Sequence, residues 1–160
     1  MKTENLRALT FGALIAAVYA VLTYALAPIS YGAVQFRVSE ALTMLPMLMP
    51  CAVPGLFVGC IIANLIGGAG LVDVIVGSLA TLAAAILTRM LRKKPLIALL
   101  MPVILNGVMV GASLSYIYNL PLFETMGTVA LGEAVVLYAL GYPLYLALSR
   151  SPALKKYFTR

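Results

Sequence analysis

Long uncharged stretches dominate the sequence and decide what it can fold into. The first, Ala8–Ala27, has 20 residues without a charge, which is the length that an α-helix needs to cross the hydrocarbon core of a bilayer. Of the 160 residues, 63% are apolar and only 10% are charged, whereas a soluble domain of this size carries far more polar surface. The sequence therefore predicts an all-α integral membrane protein. The remaining apolar stretches are Ala41–Val72, Val74–Thr88, Pro95–Phe123 and Met126–Ser149.

Two features favour six spans over five. Ala41–Val72 is too long for one span, and its segment "PCAVPG" (Pro50–Gly55) predicts a tight turn between two helices. With six spans, 10 of the 11 lysines and arginines lie on the side of the two termini, and cytoplasmic loops are the ones enriched in positive charge. We predict one compact six-helix bundle over residues 1–160, in the bacterial plasma membrane, with both termini cytoplasmic. The predicted spans lie near 6–27, 37–50, 54–68, 71–91, 96–117 and 127–148.

The rest of the composition excludes several classes of protein. The net charge is +6, but the cations flank the apolar stretches, so they indicate topology and not a nucleic-acid partner. There is no histidine, and the two cysteines, Cys51 and Cys60, have apolar neighbours. We therefore expect no metal site and no serine–histidine catalytic centre. The segment "LIGGAG" (Leu65–Gly70) lacks the Lys-Ser/Thr of a phosphate loop. We expect neither an enzyme nor a bound cofactor.

Acidic and amide side chains gather in the predicted outer half of the bundle. Glu133 lies about two turns into the sixth predicted span, roughly 9 Å from its outer end. Because an ionised group at the centre of a membrane helix costs roughly 2.5–3.5 kcal/mol, two interpretations remain open. Glu133 either binds a ligand's N–H groups or cation, or it braces the bundle by pairing with Asn106 or a backbone donor. The other outer-half groups are Glu40, Asn64, Asp73 and Glu124.

The fifth predicted span carries a polar stripe. Asn106, Met109, Ser113 and Tyr116 are spaced 3, 4 and 3 apart, which places them on one face of an α-helix. An amide, a hydroxyl and a phenol on one face suit a planar, hydrogen-bonding heterocycle. Hydrogen bonds between helices would explain them equally well.

The stretch "QFRVSEAL" (Gln35–Leu42) places two charges before a long apolar run. Arg37 and Glu40, at i and i+3, share a helical face and are able to pair along the first turn of the second span. They either anchor the helix end at the interface or form the rim of a cavity under the preceding loop. Arg37 is the only cation on the predicted outer side, so topology does not explain it, and this favours the cavity.

The first predicted span has a broad face of small residues where another helix is able to approach closely. This face either packs against another helix of the bundle or docks a partner protein. The members of this face are Gly12, Ala13, Ala16, Ala17 and Ala20.

Taken together, six short helices, an outer polar cavity and a small-residue first helix resemble the substrate-binding (S) component of an energy-coupling factor (ECF) transporter. The stretch "QFRVSEAL", followed by Leu45 and Pro46, is similar to the signature of the QueT family, S components associated with queuosine precursors. The resemblance covers essentially the whole chain in length and span count. It implies a protein that binds a deazaguanine-type precursor from outside. It also implies partners, namely a membrane coupling subunit and two ATPases that use ATP.

The resemblance further implies where partner and ligand bind. Alanines spaced as Ala-x-x-x-Ala in the first helix of S components dock on the coupling subunit, and Ala13 with Ala17 and Ala16 with Ala20 fit that spacing. The ligand lies under the loop between spans one and two. A carboxylate would accept hydrogen bonds from the N–H groups of a guanine-like edge, and an amide would bind the carbonyl or a ring nitrogen of the same ligand. A tyrosine would stack on the ring. A further acidic residue would bind the cation of an aminomethyl group. The residues predicted to bind substrate are Glu133, Asn106, Glu40, Arg37, Tyr116, Asp73, Asn64 and Tyr31.

Other functions remain open. The chain is alternatively an S component for another vitamin or base, or an autonomous small channel or proton-coupled transporter in which Glu133 carries the proton. The absence of any nucleophile–base pair counts against a membrane enzyme. The outer-half polar residues count against a purely structural protein.

Overall fold

The computed structural model describes residues 3–31, 35–68 and 70–151, and the regular structure within them is entirely helical. This confirms the all-helical prediction for the described part of the chain. Four helices there are long and apolar enough to cross a membrane: Glu4–Ala25, Gly70–Met90, Pro95–Tyr118 and Leu122–Arg150. Ala52–Ile66 is a shorter apolar helix.

The chain begins with α1 (Thr3–Ala25) and a one-turn helix, α2 (Ala27–Ser30). Pro28 lies in the first turn of α2, where its missing N–H costs no hydrogen bond and where it ends the preceding helix. The segment from Gln35 to Arg37 is extended and leads into the next helix.

The second predicted span, 37–50, contains a 3₁₀ helix, Val38–Met47, in place of an α-helix. Two residues explain the tighter winding. Thr43 donates its hydroxyl to the Glu40 carbonyl at 2.7 Å, and Pro46 has no N–H to donate to an i−4 carbonyl. At about 2.0 Å per residue a 3₁₀ helix advances farther than an α-helix, so these ten residues cover roughly 20 Å.

Helix α3 (Ala52–Ile66) begins inside the predicted "PCAVPG" turn, with Pro54 in its first turn. It joins α4 (Gly70–Met90) through a segment in which Gly68 has φ +67° and Gly70 has φ +79°. Only glycine adopts this left-handed backbone without strain.

Two long helical segments complete the chain, and each contains a π-helical stretch. The first, Pro95–Tyr118, consists of α5 (Pro95–Ala98), α6 (Leu100–Leu105), a π segment at Asn106–Val110 and α7 (Gly111–Tyr118). The second, Leu122–Arg150, consists of α8 (Leu122–Val136), a π segment at Leu137–Gly141 and α9 (Tyr142–Arg150). Asn119, at φ +52°, and Pro121 form the turn between them. π stretches in α-helices frequently occur at functional sites.

Glycines bring the helices close together. A Cβ on Gly55 would lie 2.6 Å from the Gly12 oxygen, and one on Gly59 would lie 2.9 Å from the Ala16 oxygen, so α1 and α3 meet backbone to backbone. The main core lies between α1, α3 and the 3₁₀ helix, with Tyr19, Met44 and Leu56 fully buried. Large apolar side chains cover the outside, as expected for a surface that faces lipid.

Several cations used to predict the topology lie outside the described residues: Lys2, Lys155, Lys156 and Arg160. The loop "PISYGAVQ" (residues 28–35) is likewise described only in part, because residues 32–34 fall outside.

Candidate ligand-binding site

A cluster of buried polar side chains surrounds a small internal cavity, which we call the polar cavity. It is lined by Gln35, Arg37, Glu40, Asn106, Val110, Val129 and Glu133. Its volume is about 10 Å³, the size needed for roughly one water molecule and far below the ~300 Å³ at the small end of ligand pockets. The polar cavity therefore brings together four of the residues predicted from sequence to bind substrate: Arg37, Glu40, Asn106 and Glu133.

Glu133 and Asn106 join two long helical segments inside the protein. Asn106 Nδ2 donates to Glu133 Oε1 at 2.9 Å, and the side chains are 5% and 4% exposed. Small residues bring the two helices together, since a Cβ on Gly107 would lie 2.8 Å from the Cβ of Ala130. Because α8 begins at Leu122 and not near residue 127, Glu133 lies about 16 Å from the start of its helix, deeper than predicted.

Glu40 enters the cavity from the first turn of the 3₁₀ helix. The Tyr19 hydroxyl on α1 donates a hydrogen bond to Glu40 Oε1, and both side chains are fully buried. Glu40 and Glu133 line the same cavity of about 10 Å³. Next to this pair, Thr23 and Ser39 share a hydrogen bond of 2.6 Å that ties α1 to the start of the 3₁₀ helix.

Arg37 lies in the extended segment before the 3₁₀ helix, with φ −87° and ψ +90°. Arg37 is the N-cap of the 3₁₀ helix, and its carbonyl accepts the Glu40 N–H at 2.9 Å. Both side chains line the polar cavity, but in the described residues they form no direct ion pair of the predicted i, i+3 kind. The Arg37 guanidinium donates to Gln35 Oε1 at 3.5 Å and contacts Cys60 Sγ at 3.9 Å. It also lies 5.7 Å from the centre of the Tyr31 ring, within the range of a cation–π interaction.

Gly132 holds this extended segment against α8. A Cβ at Gly132 would lie 3.2 Å from the carbonyl carbon of Gln35 and closer still to its oxygen. The backbone of Gln35 therefore occupies the space that a side chain on α8 would need. This contact places Gln35 and Arg37 at the polar cavity.

Cys60 on α3 connects Arg37 to a second group of polar residues. Its sulfur accepts from Asn64 Nδ2 at 3.5 Å and from Thr81 Oγ1 at 3.4 Å. Asn64 also donates to the Asp73 carbonyl oxygen at 3.2 Å. The Asp73 carboxylate accepts from Ser113 Oγ at 3.2 Å. Asn64 and Asp73 thus lie beside the polar cavity and not in its lining.

Tyr31 packs on Gly67 at the C-terminal end of α3. Its hydroxyl donates to the Ala63 carbonyl at 2.6 Å, and its ring is only partly buried. The ring is therefore fixed in place next to the Arg37 guanidinium.

Some buried atoms of the cluster have no hydrogen-bond partner among residues 3–31, 35–68 and 70–151. These are Arg37 Nε, Glu40 Oε2 and Asn64 Oδ1. A buried polar group left unpaired costs roughly 1–3 kcal/mol, so unpaired atoms in a native structure call for an explanation. Two of them, a donor on Arg37 and an acceptor on Glu40, belong to residues that line the polar cavity.

Tyr116 does not join the site. Its side chain is 83% exposed, whereas Asn106 and Ser113 of the same predicted stripe are buried. Tyr116 lies in the last turn of α7, where residues 116–119 are all exposed, whereas Ser113 lies deeper in the same helix. In this arrangement Tyr116 does not line the polar cavity.

The four alanines predicted to dock a partner divide between two sides of α1. Ala16 and Ala20 are 5% and 7% exposed, and Ala16 packs against Gly59 of α3. Ala13 and Ala17 are exposed. Only this second pair lies on the surface of the described chain, so Ala16 and Ala20 are not available to a partner in this arrangement.

Sequence reasoning missed three members of the cluster: Tyr19, Gln35 and Cys60. Tyr19 and Thr23, at i and i+4 in an otherwise apolar membrane helix, carry hydroxyls that need partners, and this pattern indicates an inward face. Cys60 gave no such signal, because a thiol in an apolar segment is most often a small hydrophobic residue.

A larger cleft of about 870 Å³ lies at the opposite end of the protein, between the start of α1 and the turn before α3. It is open and mostly apolar, and side chains such as Leu9, Phe11, Met49 and Pro54 line it. It lacks the buried, convergent polar groups that fix a ligand's orientation, so we assign the candidate site to the polar cavity.

Comparison with known proteins identifies the family. The sequence model of the QueT transporter family matches residues 9–150. A protein named "Queuosine precursor transporter QueT", from Lactococcus lactis subsp. cremoris, is 31% identical over 141 residues, which cover 79% of this chain and 83% of the relative. No solved structure matches the chain. The chain is a membrane protein whose described residues include four helices long enough to span a bilayer, and it belongs to the QueT transporter family.

Proposed function

We propose that this chain is the S component of an ECF-type importer and that it captures a queuosine precursor of the deazaguanine type from outside the cell. Membership of the QueT transporter family supports transport of this class of compound. The polar cavity supports recognition of a ligand that carries hydrogen-bond donors and acceptors on one edge.

One observation carries the proposal: an unpaired buried acceptor and an unpaired buried donor belong to the same cavity. Glu40 Oε2 requires an N–H group, and Arg37 Nε requires an oxygen or nitrogen acceptor. The edge of a deazaguanine presents N–H donors next to a carbonyl oxygen, so it is able to satisfy both. Hydrogen bonds to charged groups contribute roughly 1.5–3 kcal/mol each, which gives the ligand both affinity and orientation.

Glu133 and Asn106 extend the same recognition surface. Glu133 Oε1 is taken by Asn106 Nδ2, which fixes the carboxyl group and leaves its second oxygen for a ligand. Tyr31, beside Arg37, is the aromatic residue placed to stack on a ring. Since the polar cavity has a volume of only about 10 Å³, the groups around it have to separate when a ring enters.

The proposal includes a six-span bundle in the bacterial plasma membrane with both termini cytoplasmic. The 3₁₀ helix Val38–Met47 and α3 would be the second and third spans. Both are shorter than the ~30 Å hydrocarbon core, since α3 covers only about 22 Å. The longer helices surround them, and eight of the ten residues of the 3₁₀ helix are buried.

Transport would depend on partners. In this proposal a membrane coupling subunit binds the exposed face of α1 around Ala13 and Ala17, and two ATPases hydrolyse ATP. The chain itself needs no cofactor.

Titration calorimetry on the purified protein in detergent tests the function directly. The ligands are deazaguanine precursors, queuine, guanine, thiamin and riboflavin, with no ATPase present. We expect tight binding of a deazaguanine and none of thiamin or riboflavin. Failure of all deazaguanines to bind to folded protein would contradict the proposal. Binding of a different vitamin or base would keep an S component but change its substrate.

The pair of neighbouring buried carboxyl groups, Glu40 and Glu133, favours one second candidate, a proton-coupled transporter that works alone. Vesicles that contain only this protein distinguish the two. Uptake that collapses with the proton gradient would favour the second candidate, whereas uptake that requires the coupling subunit and ATPases favours the first.

A further inference from the structure

The buried cluster contains more acid than base. Glu40 and Glu133 provide two carboxyl groups, 1% and 4% exposed, and Arg37 provides one cation, 6% exposed. All three line the same cavity of about 10 Å³, which brings the two carboxyl groups to close range. Two carboxylates at close range do not both ionise readily, because each charge opposes the other and burial weakens solvation. With a single arginine nearby, one negative charge remains uncompensated if both are ionised.

The groups that face the pair from the surrounding helices do not supply a second cation. Tyr19 on α1 donates a neutral hydroxyl to Glu40, and Asn106 donates a neutral amide to Glu133. Cys60 on α3, which contacts Arg37, carries no cationic group. Asp73 on α4 is acidic and would add to the imbalance.

Another arginine on a packed helix is engaged elsewhere. Arg89, near the end of α4, donates to the carbonyl oxygens of Pro46 and Met47 at 3.1 and 3.4 Å. These lie at the opposite end of the 3₁₀ helix from Glu40. Within the described ranges, Arg37 is therefore the one cation that contacts the cluster.

We propose that the empty site holds one proton shared between Glu40 and Glu133, and that a ligand carrying a primary ammonium group displaces this proton. The inference rests on the proposed function and deepens it, because it states how the same site exchanges a proton for the charge of its ligand. The ammonium group enters with its own positive charge, and the shared proton leaves to the solvent. Two carboxylates then face two cations, Arg37 and the ligand ammonium. An uncharged deazaguanine leaves the proton in place.

Calorimetry in buffers of different ionisation enthalpy measures this exchange. The probes are 7-aminomethyl-7-deazaguanine, which carries the ammonium group, and 7-cyano-7-deazaguanine, which is uncharged. Titrations at pH 7 in phosphate and in Tris should give release of about one proton for the aminomethyl compound and none for the cyano compound. The affinity for the aminomethyl compound should rise with pH by up to roughly tenfold per unit, the slope for one released proton. The affinity for the cyano compound should stay level.

A variant connects the exchange to the carboxyl pair. Glu133→Gln cannot share a proton in this way, so proton release should disappear and the ratio of aminomethyl to cyano affinity should fall at least tenfold. Glu124→Gln, at an exposed position on the same helix, should change neither quantity. Melting temperatures of the two variants establish that both are folded.

The outcomes distinguish failure of the proposed function from failure of the shared proton. If neither deazaguanine binds to folded wild-type protein, the proposed function is wrong and this inference fails with it. If both bind, but with no proton release or with equal release, the proposed function stands and the shared proton is wrong. Proton release that persists in Glu133→Gln would also overturn the inference, because it would originate from other groups.

Discussion

The Tyr19 hydroxyl donates a hydrogen bond to Glu40 Oε1 and so joins α1 to the 3₁₀ helix across 21 positions of the sequence. Both side chains are excluded from the surface, at 0% and 1% exposure. The bond leaves the second Glu40 oxygen, Oε2, without a partner among the described residues. Tyr19 is therefore a positioning residue: it occupies one oxygen of the carboxyl group and leaves the other for a ligand.

Replacing Tyr19 by phenylalanine tests this role. Tyr19→Phe leaves Glu40 Oε1 buried without its donor, so we expect a loss of roughly 1–3 kcal/mol in stability and weaker ligand binding. Tyr24→Phe removes the same hydroxyl from an exposed position on α1 and should have no effect. Thermal unfolding and calorimetry measure the two quantities. Unchanged binding in a folded Tyr19→Phe protein would show that Tyr19 does not position Glu40.

Replacing Glu133 by glutamine tests the carboxyl group at the centre of the site. We expect Glu133→Gln to weaken substrate binding at least tenfold without unfolding the protein, a loss of about 1.4 kcal/mol or more. The amide still packs in the same space but offers only one acceptor oxygen and no charge. Calorimetry with the best-binding deazaguanine measures the change, with Glu124→Gln as the control. Wild-type affinity in Glu133→Gln would remove this residue from the site.

Gly132 allows a test of the backbone contact that places Gln35 and Arg37. The new Cβ in Gly132→Ala would collide with the Gln35 carbonyl, and relieving such an overpacked contact costs typically 1–3 kcal/mol. We expect a lower melting temperature and loss of ligand binding. Gly127→Ala is the matched control on the same helix, because no atom lies within 4 Å of its Cβ position. Equal behaviour of the two variants would contradict a specific contact at Gly132.

Arg37→Lys keeps the positive charge but replaces the planar guanidinium with an ammonium group. A lysine ammonium has no Nε donor and does not stack on an aromatic ring as a planar guanidinium does. We therefore expect binding to weaken at least tenfold while the fold is retained. Arg92→Lys, at an exposed position, should bind normally. If Arg37→Lys binds the ligand like the wild type, only the charge of Arg37 matters and the donor at Nε does not.

The exposed alanines of α1 test the proposed partner. Ala17→Leu adds bulk to the surface where a coupling subunit would approach, so we expect loss of co-purification with that subunit. Because Ala17 is exposed, ligand binding by the isolated protein should stay unchanged. Ala139→Leu makes the same change at an exposed site on another helix and should co-purify normally. Retained co-purification of Ala17→Leu would locate the partner's contact elsewhere.

The sequence predicts the helical class and several of the polar cavity's residues because these follow from simple rules. Long apolar stretches predict membrane helices, and polar residues within them turn inward because exposure to lipid is costly. Glu40, Asn106 and Glu133 meet for this reason, although they lie on three separate elements.

The sequence does not predict departures from regular α-helix. A rule based on 3.6 residues per turn does not foresee the π segment at Asn106–Val110 or the exposure of Tyr116 in the last turn of α7. Arg37 precedes the 3₁₀ helix in an extended conformation, and its side chain contacts Gln35 and Cys60. The role of Cys60 depends on Asn64, one turn along α3, and on two residues distant in sequence, Arg37 and Thr81, which only the packing of α3 brings to it.

The bond between Asn106 and Glu133 also constrains how the protein is made. Glu133 belongs to the last long helical segment among the described residues, and its donor lies 27 positions earlier on the segment before it. A buried glutamate makes that last segment costly to insert into lipid alone, whereas Asn106 has already left the ribosome when Glu133 emerges. The two segments are therefore suited to enter the membrane as a hairpin, with the earlier helix providing the polar partner that the later one needs.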